Sequence, residues 1–305
     1  MKNYIYLARI DHWFKNIFML PGIALALILS EIPPSEAVVP SLIGLLSTCF
    51  IASANYVINE WLDKEFDKYH PIKKSRPSAV GNIQAKYVYL EYGLLIALGL
   101  GLASLLTTEF FILSVVLLLM GILYNVKPVR TKDKAYIDVL SESVNNPLRL
   151  LLGWSALISG SFPPSSVLLA YWMGGAFLMA MKRYAEFRFI DDHEQAGLYR
   201  RSFNFYTEQS LLLSSFFYAI SSAFFLGIFL IKYRVEFLLS FPLFAMLFVW
   251  YAEIAMKPHS ASQTPEKLYR EPKFVAYVLF ISIVIAGLFF IDIPWLKFII
   301  EPVTY

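Results

Sequence analysis

Long apolar runs recur from one end of this chain to the other, each about as long as a membrane is thick. A helix needs about 20 largely apolar residues to cross the hydrocarbon core. Runs of that kind lie at roughly 16–32, 38–60, 87–106, 110–126, 136–160, 165–185, 208–231, 236–256 and 274–293. One such run can be a buried core helix, but nine of them in 305 residues leave no polar exterior for a water-soluble fold. Composition agrees: 58% of residues are hydrophobic and 16% charged, against about 45–50% and about 25% in soluble domains. Only helices and closed barrels satisfy their backbone in lipid, and these runs are too long and too unalternating for barrel strands. The expected fold is an all-α membrane protein, a bundle of nine transmembrane helices forming one domain over 1–305. Pro33-Pro34, Thr107–Glu109 and Pro163-Pro164 mark short turns between runs.

Charge gives the orientation. Lys2, Arg9 and Lys15 precede the first run, and Lys64, Lys68, Lys73, Lys74, Arg76 and Lys86 follow the second. Further basic groups are Lys127, Arg130, Lys132 and Lys134, then Lys182, Arg183, Arg188, Arg200 and Arg201, then Lys257, Lys267, Arg270 and Lys273. The alternate connections hold only Lys232, Arg234 and Lys297, and Arg149 lies inside a run. The positive-inside rule therefore places the N-terminus in the cytoplasm and, after nine crossings, the C-terminus outside. The first run lacks a small-residue cleavage site and reads as a retained span. A net charge of +3 is too small to argue for nucleic acid. The single cysteine, Cys49, excludes a disulfide framework and a cysteine metal site. It reads as a small buried hydrophobe.

The second run ends in Asn55-Tyr-Val-Ile-Asn59-Glu60-Trp-Leu-Asp63-Lys-Glu-Phe-Asp67. Asn55, Asn59, Asp63 and Asp67 recur every four residues, which puts them in one polar stripe of a helix. Ionisable residues at a membrane helix are functional candidates. Two carboxylates one turn apart repel, a divalent cation removes the repulsion, and oxygen ligands without His or Cys point to magnesium. The alternative is a solvated helix end, with Glu65 and Asp67 facing water.

Three more segments carry charge beside this stripe. His70-Pro71-Ile-Lys73-Lys74-Ser-Arg76-Pro77 is a basic loop suited to phosphate, or to anionic lipid. Lys182 and Glu186 are one turn apart, either as a second wall of the same site or as an ion pair within one helix. Tyr124, Asn125, Lys127 and Arg130 close the fourth run, and Asp138, Glu142, Asn145 and Arg149 share one helix face. Arg149 lies deepest and needs a partner or a ligand anion; a polar contact between helices is the competing account. His193 and His259 have no ligand-like spacing and read as ordinary loop histidines.

Together these motifs resemble the UbiA superfamily of intramembrane prenyltransferases. The Asn59-Glu60-x-x-Asp63-x-x-x-Asp67 run is similar to its first aspartate-rich motif, with Glu60 in place of the more usual Asp. Within the superfamily the chain is most similar to the branch that transfers phosphoribosyl groups to decaprenyl phosphate. That likeness rests on Arg9-Ile-Asp-His-Trp13-Phe-Lys15-Asn16, on Asp67-x-x-His70-Pro71-x-Lys73-x-x-Arg76-Pro77 and on Lys182-Arg183-Tyr184-Ala185-Glu186. Other members carry a second pair of acids where this chain has only Glu186, flanked by Lys182 and Arg183.

The resemblance implies a bacterial inner-membrane enzyme with its site facing the cytoplasm, built from loops 61–86 and 182–207. Its donor would be 5-phosphoribosyl 1-diphosphate, its acceptor a polyprenyl phosphate and its cofactor Mg2+. Asn59, Asp63 and Asp67 would form the catalytic, metal-holding centre. Asn55, Glu60, Lys15, Lys73, Arg76, Tyr124, Lys127, Arg149, Lys182, Arg183 and Glu186 would bind substrate. The acceptor is already an anion, so no general base is needed. Three other readings remain: prenyl transfer from a prenyl diphosphate to an aromatic acceptor, transfer of another sugar onto a lipid phosphate, and an ion-coupled transporter. The chain shows no internal repeat of the transporter kind. Oligomeric state stays open.

Overall fold

Proline sets where the principal helix begins and its length sets where its polar end lies. In the computed structural model a single helix runs Pro34–Asp67, with Pro34 in its first turn and Glu36 near its positive N-terminal pole. Its 34 residues span about 51 Å at 1.5 Å per residue. That exceeds a hydrocarbon core of about 30 Å, so α3 is long enough to cross and still carry its acidic stripe on its last turns.

The structure describes all residues except 1, 31, 82, 234, 259, 264–267, 269 and 297–305. Arg234, His259, Lys267 and Lys297 of the sequence reading lie outside the described residues. Among the described residues every regular element is a helix. The α-helices are α1 (Lys2–Leu7), α2 (Leu20–Leu29), α3 (Pro34–Asp67), α4 (Pro77–Val80), α5 (Ala85–Ala103), α6 (Thr108–Asn125), α7 (Ile137–Ser143) and α8 (Asn145–Ser155). They continue with α9 (Ser165–Ile190), α10 (His193–Tyr199), α11 (Glu208–Tyr233), α12 (Phe241–Met256) and α13 (Pro272–Phe290), with short 3-10 turns between. Two compact units divide the chain: Met1–Pro163 with Phe187–Ser210, and Pro164–Glu186 with Leu211–Tyr305.

The first unit packs α2, α3, α5, α6 and α8 around Met19, Ile51, Phe110, Leu117, Leu148 and Leu152. Two glycines let α8 meet the chain around the start of α2. A Cβ on Gly22 would lie 2.0 Å from the Leu150 carbonyl oxygen, and one on Gly153 would lie 2.1 Å from that of Met19. Small residues at such crossings are how membrane helices gain packing without a hydrophobic driving force. In the second unit, Ser222 donates to the Ala170 carbonyl at 2.9 Å, and Phe177 meets Phe248 edge to face at 4.8 Å. Tyr277 donates to the Leu243 carbonyl at 3.0 Å.

Among the described residues seven segments are long and apolar enough to cross a membrane: Asn3–Leu29, Pro34–Asp67, Ala85–Ala103, Thr108–Asn125, Glu208–Tyr233, Val235–Met256 and Pro272–Phe290. The expected spans 136–160 and 165–185 are not among them. The first is two short helices, α7 and α8. Pro147 is tolerated only in a first turn, so the helix restarts at Asn145. The second falls within α9, a continuous helix whose last turns carry Lys182, Arg183, Glu186 and Arg188.

Candidate active site

The four stripe residues share the C-terminal end of α3, as their spacing requires, and each meets α6 or the chain just beyond it or α3. Asn55 donates to the Leu117 carbonyl at 3.0 Å, while its buried Oδ1 has no partner. Asn59 Nδ2 donates to Asn125 Oδ1 at 2.5 Å. Asp63 Oδ1 receives Arg130 Nη2 at 2.9 Å and Lys132 Nζ at 2.5 Å. Asp67 Oδ2 receives Arg76 Nη1 at 2.7 Å. Asn125, at the last turn of α6, ties the group together: its Oδ1 also accepts Lys132 Nζ at 2.6 Å.

Arg130 and Lys132 reach Asp63 because the chain reverses sharply after α6. Arg130 has φ 27° and ψ 66°, a strained conformation held by its surroundings. Its guanidinium bonds the Asn125 carbonyl at 2.9 Å and Asp133 Oδ1 at 3.2 Å, besides Asp63. Burial pushes the Lys132 ammonium down to about 8, with Asp63 pulling the other way. Arg76 behaves differently. Burial opposes its charge, yet Asp67 and Glu60 outweigh burial and raise it above the usual guanidinium value.

Asp63, Phe66, Arg130, Lys132, Asp133, Tyr199 and Arg200 line a partly open cleft of ≈ 270 Å³. Tyr199 ends α10 and accepts the ammonium of Lys73. His70 holds that loop: its Nδ1 accepts the amides of Ile72 at 3.1 Å and Lys73 at 3.2 Å.

The remaining sequence candidates fall elsewhere. Glu60 is fully buried and is engaged by other partners than Asp63; Oε2 receives Arg9 Nη2 at 2.7 Å and Nε at 3.1 Å, and Oε1 receives Ser78 at 3.3 Å. Tyr124 donates to Glu142 at 2.7 Å. Lys15 sits 3.1 Å from His12 and over the Tyr56 ring. Arg149 donates to Asn16 Oδ1 at 2.9 Å and the Asn145 carbonyl at 3.2 Å. Cys49 is buried, as expected, and accepts from Asn16 at 3.1 Å. Lys127 is exposed. Lys182, Arg183 and Glu186 belong to the second unit, where Arg183 Nη1 donates to Glu186 at 3.4 Å.

Sequence reasoning did not commit to Arg130, Lys132, Asn125, Tyr199 and Arg200 as site residues. Asn125 and Arg130 carried a signal in the polar segment that closes the fourth run, and Lys132 and Arg200 as members of basic clusters; Tyr199 carried none.

Among the described residues no three His, Cys, Asp or Glu side chains come together as a cage. The donor set nonetheless suits magnesium, which is commonly held by one or two carboxylates plus substrate phosphates and water. Asp63 engages only Oδ1, Asp67 only Oδ2, and Asn59 only its amide nitrogen. Each keeps one oxygen unengaged among the described residues, and all three lie on one stripe.

The UbiA prenyltransferase family matches residues 17–284, and the chain belongs to it. It is 32% identical over 205 residues to decaprenyl-phosphate phosphoribosyltransferase of Corynebacterium glutamicum, covering 65% of this chain and 58% of that one. The same-named protein of Mycolicibacterium smegmatis is 29% identical over 206 residues, 67% of this chain and 62% of that one. The chain thus spans less than two thirds of the length of these relatives. A UbiA homologue from Archaeoglobus fulgidus bound to DMAPP and Mg2+ shares the fold, with TM-score 0.70 at 22% identity over 92% of this chain and 98% of that one.

Proposed function

We propose that this chain transfers a phosphoribosyl group from 5-phosphoribosyl 1-diphosphate to a polyprenyl phosphate of decaprenyl type, in a magnesium-dependent reaction. The observation that carries the reading is the surplus of five cations around three aspartates. Arg130, Lys132 and Arg200 share the cleft with Asp63 and Asp133, and Lys73 and Arg76 flank it through Tyr199 and Asp67. A donor with two phosphorylated positions and an acceptor that is itself a phosphate both need such charge. Similarity to the phosphoribosyltransferases of Corynebacterium and Mycolicibacterium supports the same choice.

In this reading Asn59, Asp63 and Asp67 would hold magnesium, which when bound would supply charge neutralisation for the departing diphosphate. Arg130 and Lys132, which bond Asp63 in the structure, would bind the diphosphate oxygens. Lys73 and Arg76 hold the 5-phosphate or the acceptor phosphate. The bond from C1 to the diphosphate oxygen breaks, and an oxygen of the lipid phosphate forms the new bond to C1. That oxygen carries no proton to remove, so the cleft needs no base.

The site is taken to face the cytoplasm of a bacterial inner membrane, with loops 61–86 and 182–207 around it. The seven apolar segments would be joined by α9 and by the buried, broken pair α7–α8 to give nine crossings. Broken helices persist at membrane depth where protein surrounds them, and Pro147 to Leu150 and Leu152 to Ser155 of α8 are buried.

The test is a transfer assay on purified protein in detergent with labelled phosphoribosyl diphosphate, a polyprenyl phosphate and magnesium. Label should enter the lipid phase and EDTA should stop it. Prenyl transfer is the second reading, favoured by 25% identity over 193 residues to a protoheme IX farnesyltransferase of Alkalihalophilus pseudofirmus. It calls for a second acidic pair, whereas α9 supplies Glu186 already bonded to Arg183. Product from prenyl diphosphate, with none from the phosphoribosyl donor, would replace the first reading with the second.

A further inference from the structure

The cations of the cleft are held in two different ways. Arg130 and Lys132 are both bonded to Asp63, a carboxylate that a metal would recruit. Arg200 lines the same cleft, but its acid is Asp138, 3.6 Å away. Asp138 is fully buried and is saturated from behind the cleft: Oδ1 receives Tyr206 OH at 2.7 Å and Oδ2 receives Ser202 Oγ at 3.0 Å. Tyr206 in turn accepts the Tyr136 amide at 2.5 Å. Arg200 also donates to Tyr124 OH at 3.3 Å, and that hydroxyl is anchored on Glu142. Arg130 and Lys132 bond Asp63 directly, whereas Arg200 bonds Tyr124 and approaches Asp138 and acts on Asp63 only through space; a metal on Asp63 would leave the Asp138 and Tyr124 contacts of Arg200 in place.

We infer that Arg200 is a fixed phosphate-binding residue of the cleft, engaging a diphosphate with or without the metal, and that Asp138 is its positioning residue. The inference rests on the reading of the cleft as a diphosphate site, though not on the identity of the group transferred. A guanidinium already ordered by buried partners loses little freedom on binding a phosphate oxygen. Asp138 sits 62 residues before Arg200 in sequence, on α7, so it ties the segment after α10 to α7 within the first unit. Its role is to aim a cation rather than to trade protons.

Inorganic pyrophosphate is the probe, because it is blind to whether the donor carries a sugar or a prenyl group. Binding to purified full-length protein is measured by calorimetry in EDTA and again in magnesium. Arg200→Met should weaken binding on the order of tenfold or more in both media, as expected for loss of one charged hydrogen bond. Asp63→Asn should remove the magnesium enhancement and spare the EDTA affinity. Asp138→Asn should reproduce the Arg200→Met loss, and the double variant should be no weaker than either single one. In turnover, both should raise the donor KM and keep kcat within about twofold, the pattern of lost uniform binding. Tyr206→Phe, which takes one bond from Asp138 and keeps its charge, guards against a folding artefact and should retain most of the affinity. Unchanged EDTA affinity in Arg200→Met overturns the phosphate assignment. Additive losses in the double variant overturn the positioning role. Failure of phosphoribosyl transfer with these binding results intact would touch the donor identity alone.

Discussion

Glu60 and Asp63 stand less than one turn apart on the same helix and do opposite things. Glu60 is fully buried, with both oxygens engaged by Arg9 and Ser78. Asp63 faces the cleft and keeps one oxygen unengaged, as does Asp67 a turn later. A carboxylate saturated by protein donors fixes the N-terminal segment to α3. A carboxylate with an oxygen to spare is available to a metal and a substrate. Occupancy of the lone pairs, rather than acidity or burial, separates scaffold from site.

The largest expected effect tests the cleft side of that division. Asp63→Asn preserves shape but removes the charge that attracts the metal. Turnover per folded molecule should fall on the order of a thousandfold, the scale of losing a principal electrostatic contact, beyond any loss of stability from leaving Arg130 and Lys132 without their acid. Full magnesium-dependent turnover in that variant would remove Asp63 from the metal site.

Glu60→Gln tests the scaffold side and should show the reverse pattern. Breaking a buried ion pair by removing one partner costs about 3–5 kcal/mol, so stability should drop sharply in denaturant or thermal melts. The fraction that remains folded should turn over at close to the parent rate. A variant that melts normally but is inactive would place Glu60 among the metal or substrate ligands, as the resemblance implies.

How far the sequence reaches follows the same division. The stripe of Asn55, Asn59, Asp63 and Asp67 was legible because a period of four survives folding on any straight helix. The role of Glu60 was not, since it lies close to the stripe and only its partner, Arg9, 51 positions away, shows that it is engaged elsewhere. Lys127 looked like the equal of Arg130 and Lys132. The reversal at Arg130 brings the latter two to Asp63 and leaves Lys127 exposed. Apolar count likewise read 136–160 as one span, because it does not register that Pro147 forces a new first turn. The pairing of Asp138 with residues 200–206 left no periodic trace at all.

Smaller effects sharpen the contrast among the basic residues. Arg130→Gln should raise the donor KM on the order of tenfold, the loss expected for a charged hydrogen bond. Lys127→Gln, on an exposed side chain three positions earlier, should change it by less than about twofold. Equal effects from the two would mean that charge near the membrane surface, not the cleft geometry, sets donor affinity.

The smallest effect separates Lys132 from Arg76, the partners of Asp63 and Asp67. Lys132 is held down to about 8 in the folded protein, against 10.5 for an ordinary lysine. Between those values the unfolded chain binds a proton that the folded chain has released, so stability gains with rising pH. The charged amine is a net cost of burial below pH 8, and that cost is fully relieved only above 10.5. The difference in melting temperature between the parent protein and Lys132→Met, taken in EDTA, should therefore move in favour of the parent from pH 8 towards pH 10. Arg76, raised rather than lowered, stays charged in both states across that range, and the difference between the parent and Arg76→Gln should be flat. A flat line for Lys132 as well would mean that its ammonium is hydrated, that the cleft is wetter than its lining suggests, and that Asp63 is already held as loosely as a metal site requires.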